Sequence, residues 1–400
     1  MRKTILQILF LFLVISVGGQ NRDDLYLQGA VLIDKNEYQT AIDLFSQLIE
    51  ADKYDEKNFL MRGEALYQTA DYYQAINDFK QANQLKRNIA DLQLAKAYAR
   101  VDDTEKMYQH LESHLKSRYK LTESEIKFDP AFKTYHETAY WIDFWKQNWY
   151  SKRDYAVSEV AYLIKYEKYQ QALERINDEM NGSSKSHELY AARAKVYAAL
   201  LHFPKAEKDY SRAIQLNSRT ADYFAERATI YLQLEKYADA INDLDEALEL
   251  EPQNLELLKK RSLAYQKNGT LEKAEADIKK YLSYFPDEED ALFQCGNMYF
   301  EFERYLDAVI YYNKCLEKNK NKAAYFEARG NTYYHVKTYK YAIRDYSMAL
   351  DLNPESANAY LRKGLSRQAL GDLSGACSDW QKAFRHGSRK AQEYLIDYCQ

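Results

Sequence analysis

The 400-residue chain carries 46% hydrophobic and 29% charged residues and a formal charge of −4, enough apolar content for a buried core with no excess of base. That balance, with no run of Lys or Arg, excludes nucleic acid as the main partner, because phosphate binding needs a concentrated basic face. Twelve glycines and five prolines against 38 tyrosines exclude a turn-rich sandwich and predict an all-helical chain.

At the N-terminus, Arg2 and Lys3 precede an apolar run from Ile5 to Val17 that ends in Gly18 and Gly19. A charged start, a run short for a bilayer and small residues at its end predict a signal peptide over 1–19. An uncleaved anchor helix is the other reading of the same residues. No cysteine follows the run, so lipoprotein processing has nothing to acylate. The expectation is an exported protein, periplasmic or envelope-associated, with no stable membrane span after cleavage.

From residue 20 a fixed step appears. Gly29, Gly63 and Ala97 lie 34 residues apart, and the step resumes through Val160, Ala194, Ala228, Ser262, Gly296, Gly330 and Gly364. Twelve residues beyond each comes Ala41, Ala75, Gln109, Ala172, Ala206, Ala240, Ala274, Ala308, Ala342 or Ala376. Small residues at that spacing predict antiparallel hairpins whose helices approach closely. Tyr38, Tyr72, Tyr169, Phe203, Tyr237, Tyr305 and Tyr339 share one position, where they act as wedges at the start of each second helix. Pro252, Pro286 and Pro354 mark where second helices end. A hairpin buries only one face alone, so hairpins must stack into a solenoid. The reading is three repeats over 20–118, seven over 153–388, and a capping helix over 389–400.

Residues 119–152 break the register. After Asp129 and Pro130 as a helix start, Trp141, Trp145 and Trp149 fall four apart in "WIDFWKQNWY" and predict one aromatic stripe. Each Trp can bury about 200 Å², so leaving three wet would forgo on the order of 10 kcal/mol. The stripe is therefore expected to plug the joint between the two blocks, packed on the repeats either side. Its alternative use is as a platform for a carbohydrate or small ligand.

Candidates for chemistry are few. His110 and His114 share a helix face, but Glu112 is displaced from the zincin pattern and no third ligand is evident, so a solvated face is expected rather than a metal site. No phosphate-cradling glycine loop, nucleophile elbow or Cys-x-x-Cys pair appears, and neither catalytic residues nor a cofactor are assigned. Cys377 and Cys399 fall on the last hairpin and the capping helix, where a disulfide would pin the fraying end; sequence leaves the connectivity open. Cys295 and Cys315 take core-facing positions in one hairpin.

The repeat resembles the tetratricopeptide family, most fully in "AYFEARGNTYYHVKTYKYAIRDYSMALDLNP" (324–354), where Phe326, Gly330, Tyr333, Ala342, Tyr346, Ala349 and Pro354 take the family's positions. The resemblance implies a right-handed superhelix of hairpins that binds a protein or peptide in a concave groove lined by the first helices. Carried onto the last three repeats, that groove is expected to present Phe293, Asn297, Phe300, Asn331, Tyr334, Leu361, Arg362 and Leu365, apolar pockets with Asn amides able to donate and accept. The family's chaperone-tail clamp is not expected. Asn297 and Arg362 match it, but Phe293, Ala328 and Asn358 replace the Lys, Asn and Lys that would hold a carboxylate. The C-terminal "GACSDWQKAF" and "GSRKAQEYLIDYC" also resemble the ends of secreted bacterial members.

Overall fold

The computed structural model describes residues 22–182 and 185–399, so the leader read in residues 1–19 lies outside the described residues. Those residues form α-helices, one 3-10 turn and no strand. They divide into two compact units, the first ending at Ser218 and the second beginning at Arg219.

In the first unit the hairpins are α1 (Arg22–Asp34) with α2 (Tyr38–Ala51), α3 (Glu56–Gln68) with α4 (Tyr72–Leu85), and α5 (Asp91–Arg100) with α6 (Thr104–Leu115). The insertion follows as α7 (Glu123–Lys127), a 3-10 turn (Pro130–Tyr135) and α8 (Ala139–Phe144). Then come α9 (Lys152–Lys165) with α10 (Tyr169–Gly182) and α11 (His187–Ala199) with α12 (Phe203–Leu216). The second unit holds α13 (Ala221–Gln233) with α14 (Tyr237–Leu250), α15 (Leu255–Lys267) with α16 (Leu271–Tyr284), and α17 (Glu289–Glu301) with α18 (Tyr305–Lys318). It ends with α19 (Ala323–His335) and α20 (Tyr339–Leu352), α21 (Ala357–Ala369) and α22 (Leu373–Arg385), and the cap α23 (Arg389–Tyr398).

The wedge tyrosines and Phe203 are the first residues of their helices, and Pro252, Pro286 and Pro354 each follow a second helix by two residues. The repeat alanines, from Ala41 to Ala376, are fully buried. What each first-helix glycine meets, however, is a ring sixteen residues on. A Cβ on Gly296 would stand 2.6 Å from Tyr312, and the same clash awaits at Gly29 with Phe45 and Gly63 with Phe79. The small residue thus makes room for an aromatic floor between the helices.

Every hairpin turns through one residue in the left-handed region: Asn36, Ala70, Asp102, Glu167, Leu201, Glu235, Gly269, Glu303, Lys337 and Gly371. At Leu201 the turn closes with His202 N–H donating to Tyr197 O at 2.8 Å and Leu201 N–H to Ala198 O at 2.9 Å, the bonds that satisfy a helix's last carbonyls. These residues also date the repeats. Ala70 to Asp102 is 32 residues, so the third repeat is two short, and its small residue is Ala95 rather than Ala97. Buried Met107 then takes the alanine position assigned to Gln109, which is exposed. Alanine at both 95 and 97 hid the slip.

A polar device repeats with the hairpins. An Arg on the first helix grips an Asp sixteen residues later on the second with two bonds, as Arg62 with Asp78, Arg193 with Asp209, Arg227 with Asp243, Arg261 with Asp277 and Arg329 with Asp345. Four of these guanidiniums reach back as well, to Ser46, Asn177, Asp245 or Asn313 on the preceding second helix. Each such Arg therefore ties its own hairpin shut and binds it to the one before. In the hairpin of α9 and α10 the charges are exchanged, with Glu159 and Arg175 at 2.7 Å.

The C-terminal end is closed by Trp380, fully buried against Leu361, Ala376, Ala383 and Ala391. A disulfide joins Cys377 of α22 to Cys399 just beyond α23, with Cα atoms 5.7 Å apart. Closing a 22-residue separation removes unfolded-chain entropy worth about 3 kcal/mol. Cys377→Ser is accordingly expected to free α23, read as faster amide exchange in that helix and an unchanged rate in α17; equal protection of α23 with and without the bond would contradict this.

Candidate functional site

The groove candidates sit on α17, α19 and α21, the first helices of the last three hairpins. Phe293, Asn297 and Phe300 are one helical turn apart on α17, and together with Leu263, Gln266 and Lys267 of α15 they line a pocket of about 460 Å³. Its rim carries Asp290, Gln294 and Glu301. Polar bonds fix the two walls: Gln266 and Lys267 both donate to Glu301, at 2.8 and 2.7 Å, and Gln294 donates to Lys259 O at 3.1 Å. Inside, the Phe293 ring stands 5.0 Å from Tyr325 and 5.8 Å from Tyr312. Phe300 meets His335 edge-on at 5.2 Å. The pocket is apolar along its floor and charged at its edge, which suits a side chain entering from an extended peptide.

Leu263 and Gln266 were legible but not read. They stand one and four residues past Ser262, the phases of Asn297 and Phe300 relative to Gly296. The pocket thus extends one repeat earlier than the expected groove residues.

Further along, Tyr334 lies under the Arg362 guanidinium at 5.6 Å and packs on Tyr339. Three expectations need correction. Leu361 does not face the groove; it is buried with Trp380 and the capping helix. Leu365 is partly buried against that same core. The Asn amides are also less open than expected, because Tyr312 donates to Asn297 Oδ1 and Tyr346 to Asn331 Oδ1, both at 2.8 Å. Each amide is positioned by its own hairpin, leaving chiefly its N–H groups to offer a ligand.

The tryptophan stripe does not exist as one helix. Asp129 caps the 3-10 turn as expected, but α8 stops at Phe144 and Trp145 is its C-cap. Trp141 is buried, with Phe132 at 5.6 Å and His136 at 5.4 Å. Trp145 and Trp149 are half-buried, and the Trp149 indole N–H donates to Phe144 O at 2.8 Å. All three pack on a core drawn from residues 59 to 150, which joins the second and third repeats to the insertion itself. The link to α9 combines bonds from Lys120 to Trp149 O and to Asp154 with a ring contact between Tyr150 and Tyr155 at 5.8 Å.

His110 and His114 point to different partners. His110 Nδ1 lies 2.9 Å from Asp91 and its ring stacks on Tyr98, whereas His114 is buried and its Nε2 accepts the Leu121 N–H. The expected solvated face is thus wrong for His114, whose pKa burial pushes down. Burial also opposes ionisation of Asp91, yet bonds from His110, Ser113 and Asn88 outweigh it and hold that carboxyl at about 2. Ser113 bonds Asp91 rather than the imidazole, so no nucleophile is activated here. Cys295 and Cys315 are fully buried, and burial pushes both thiols up to about 12, far from thiolate chemistry. Among the described residues no group of His, Cys, Asp or Glu gathers to hold a metal.

Stacked antiparallel hairpins define a helical-repeat protein. Tetratricopeptide repeat profiles match residues 221–254 and 259–324. A tetratricopeptide repeat protein from Parabacteroides merdae is 18% identical with a TM-score of 0.51, the match covering 62% of this chain and 99% of that one. The C-terminal part of a repeat-containing protein from Cytophaga hutchinsonii is 17% identical with a TM-score of 0.49, covering 60% and 99%. No curated protein sequence matches the chain. The chain therefore contains tetratricopeptide repeats over residues 221–254 and 259–324. Members of this architecture present extended surfaces for contact with other proteins.

Proposed function

We propose that this protein is an exported, non-enzymatic adaptor that holds an extended segment of a protein partner along α15, α17 and α19. The observation that carries the reading is the pocket where Phe293, Phe300 and Leu263 meet positioned Asn and Gln amides. Aromatic anchors in such a slot supply affinity, while the amides select a backbone over an apolar surface. Export rests on the leader read in residues 1–19 and on the Cys377–Cys399 bond, which an oxidising compartment permits. The envelope is the compartment this implies. No helix of the described residues is long and apolar enough to cross a membrane.

Affinity capture from envelope extracts tests the reading, with wild type beside a Phe293→Ala/Phe300→Ala variant whose helical circular dichroism is first shown to be intact. Loss of two anchor rings at about 2 kcal/mol each is expected to reduce recovery of the principal partner more than tenfold. Recovery of the same proteins in the same amounts would end the groove assignment.

A further inference from the structure

A second pocket, of about 350 Å³, lies in the first unit between α6 and the insertion. Thr104, Glu105, Tyr108, Gln109 and Glu112 line it from one face of α6, and Tyr140, Phe144 and Gln147 from α8 and the residues after it. It has a structural origin. Tyr108 occupies the position of Ile76 in the preceding repeat, a residue that is buried there. Here the helix that follows is α8, six residues long where α5, which follows α4, has ten, so the short helix reaches Tyr108 but leaves a slot beside it.

The slot has a distinct chemistry. Its floor is aromatic: Tyr108 and Phe144 are buried with centroids 5.2 Å apart, and Tyr140, a residue 63% exposed, leans on Tyr108 at 4.3 Å. Its polar lining is Thr104, Gln109, Gln147 and two carboxylates, with no basic residue. Glu105 bonds only the neutral Gln109 amide, at 3.3 Å, while Glu112 pairs with Lys116 outside the lining. Exposed π-face beside an acid whose bond is to a neutral amide attracts positive charge on two counts, and it repels carboxylates and phosphates. A large apolar ring left in water is itself a cost that a ligand would relieve.

We propose that this slot binds a small organic cation, a primary or quaternary ammonium on a short apolar stem. The ammonium sits against Tyr140 with Glu105 as counter-charge, and the stem covers the edges of Tyr108 and Phe144. The site is independent of the groove on α17, so either can fail alone.

Calorimetric titration of the full chain at low salt, with tryptophan fluorescence followed in parallel, tests it with choline, its neutral isostere 3,3-dimethylbutan-1-ol, and glucose. Choline is expected to bind saturably and at least about tenfold more tightly than the neutral isostere, the part of affinity that charge supplies. Tyr140→Leu and Glu105→Gln, both at exposed positions, should each weaken choline about fivefold. Equal binding of the isostere, binding of glucose in place of choline, or no saturable signal from choline would each overturn the proposal.

Discussion

Arg329→Leu lowers the stability of its hairpin by about 3–5 kcal/mol, and adding Asp345→Leu recovers most of that loss. Arg329 holds Asp345 with bonds of 2.7 and 2.8 Å and Asn313 with one of 2.6 Å, and the Asp345 residue is only 2% exposed. Without the guanidinium the carboxylate stays buried and uncompensated, which costs far more than the pair itself contributes. Replacing both partners removes the orphaned charge, whereas the lost tie to Asn313 on α18 remains. In a stack of hairpins the damage is local, so the readout is amide exchange in α19 and α20 rather than a global melting point. A loss below about 1 kcal/mol, as for an exposed ion pair, would show the brace to be incidental.

Trp141→Ala is the second large effect, about 3–5 kcal/mol in the first unit. The indole is 4% exposed and touches Phe132, His136 and Trp145, so its removal opens a cavity that rigid rings cannot fill. Urea titration followed by the remaining tryptophans measures it. A ligand platform makes the opposite prediction, since a ring held ready for a partner is lost at little cost to folding.

The hairpins were readable because two constraints repeat: a small residue facing a ring, and an alanine where helices touch. Both are apolar and survive as letters at a fixed step. The braces were readable in principle, as Arg followed by Asp sixteen residues later, but a search tuned to small and apolar residues passes over them. The slip in the third repeat was masked because Ala95 and Ala97 are equally small. The reliable marker was polar, Asp71 and Asp103 each capping a second helix 32 residues apart. The tryptophan stripe misled for another reason. Spacing of four describes a helix only if the backbone continues, and here the Trp149 indole bonds the carbonyl of Phe144 where the helix has already ended. Which first-helix residues face the groove depends on what lies behind them: Leu361 is lost to Trp380, whereas Phe293, at the same phase, faces the pocket.

The claim that α17 carries the recognition surface is tested most directly by placing a photo-crosslinking phenylalanine analogue at Phe300 and, separately, at the exposed Met348 on α20. Irradiation in the native cells should join one defined protein to position 300 and none to position 348. Crosslinks of equal yield at both positions, or only at 348, would contradict the account.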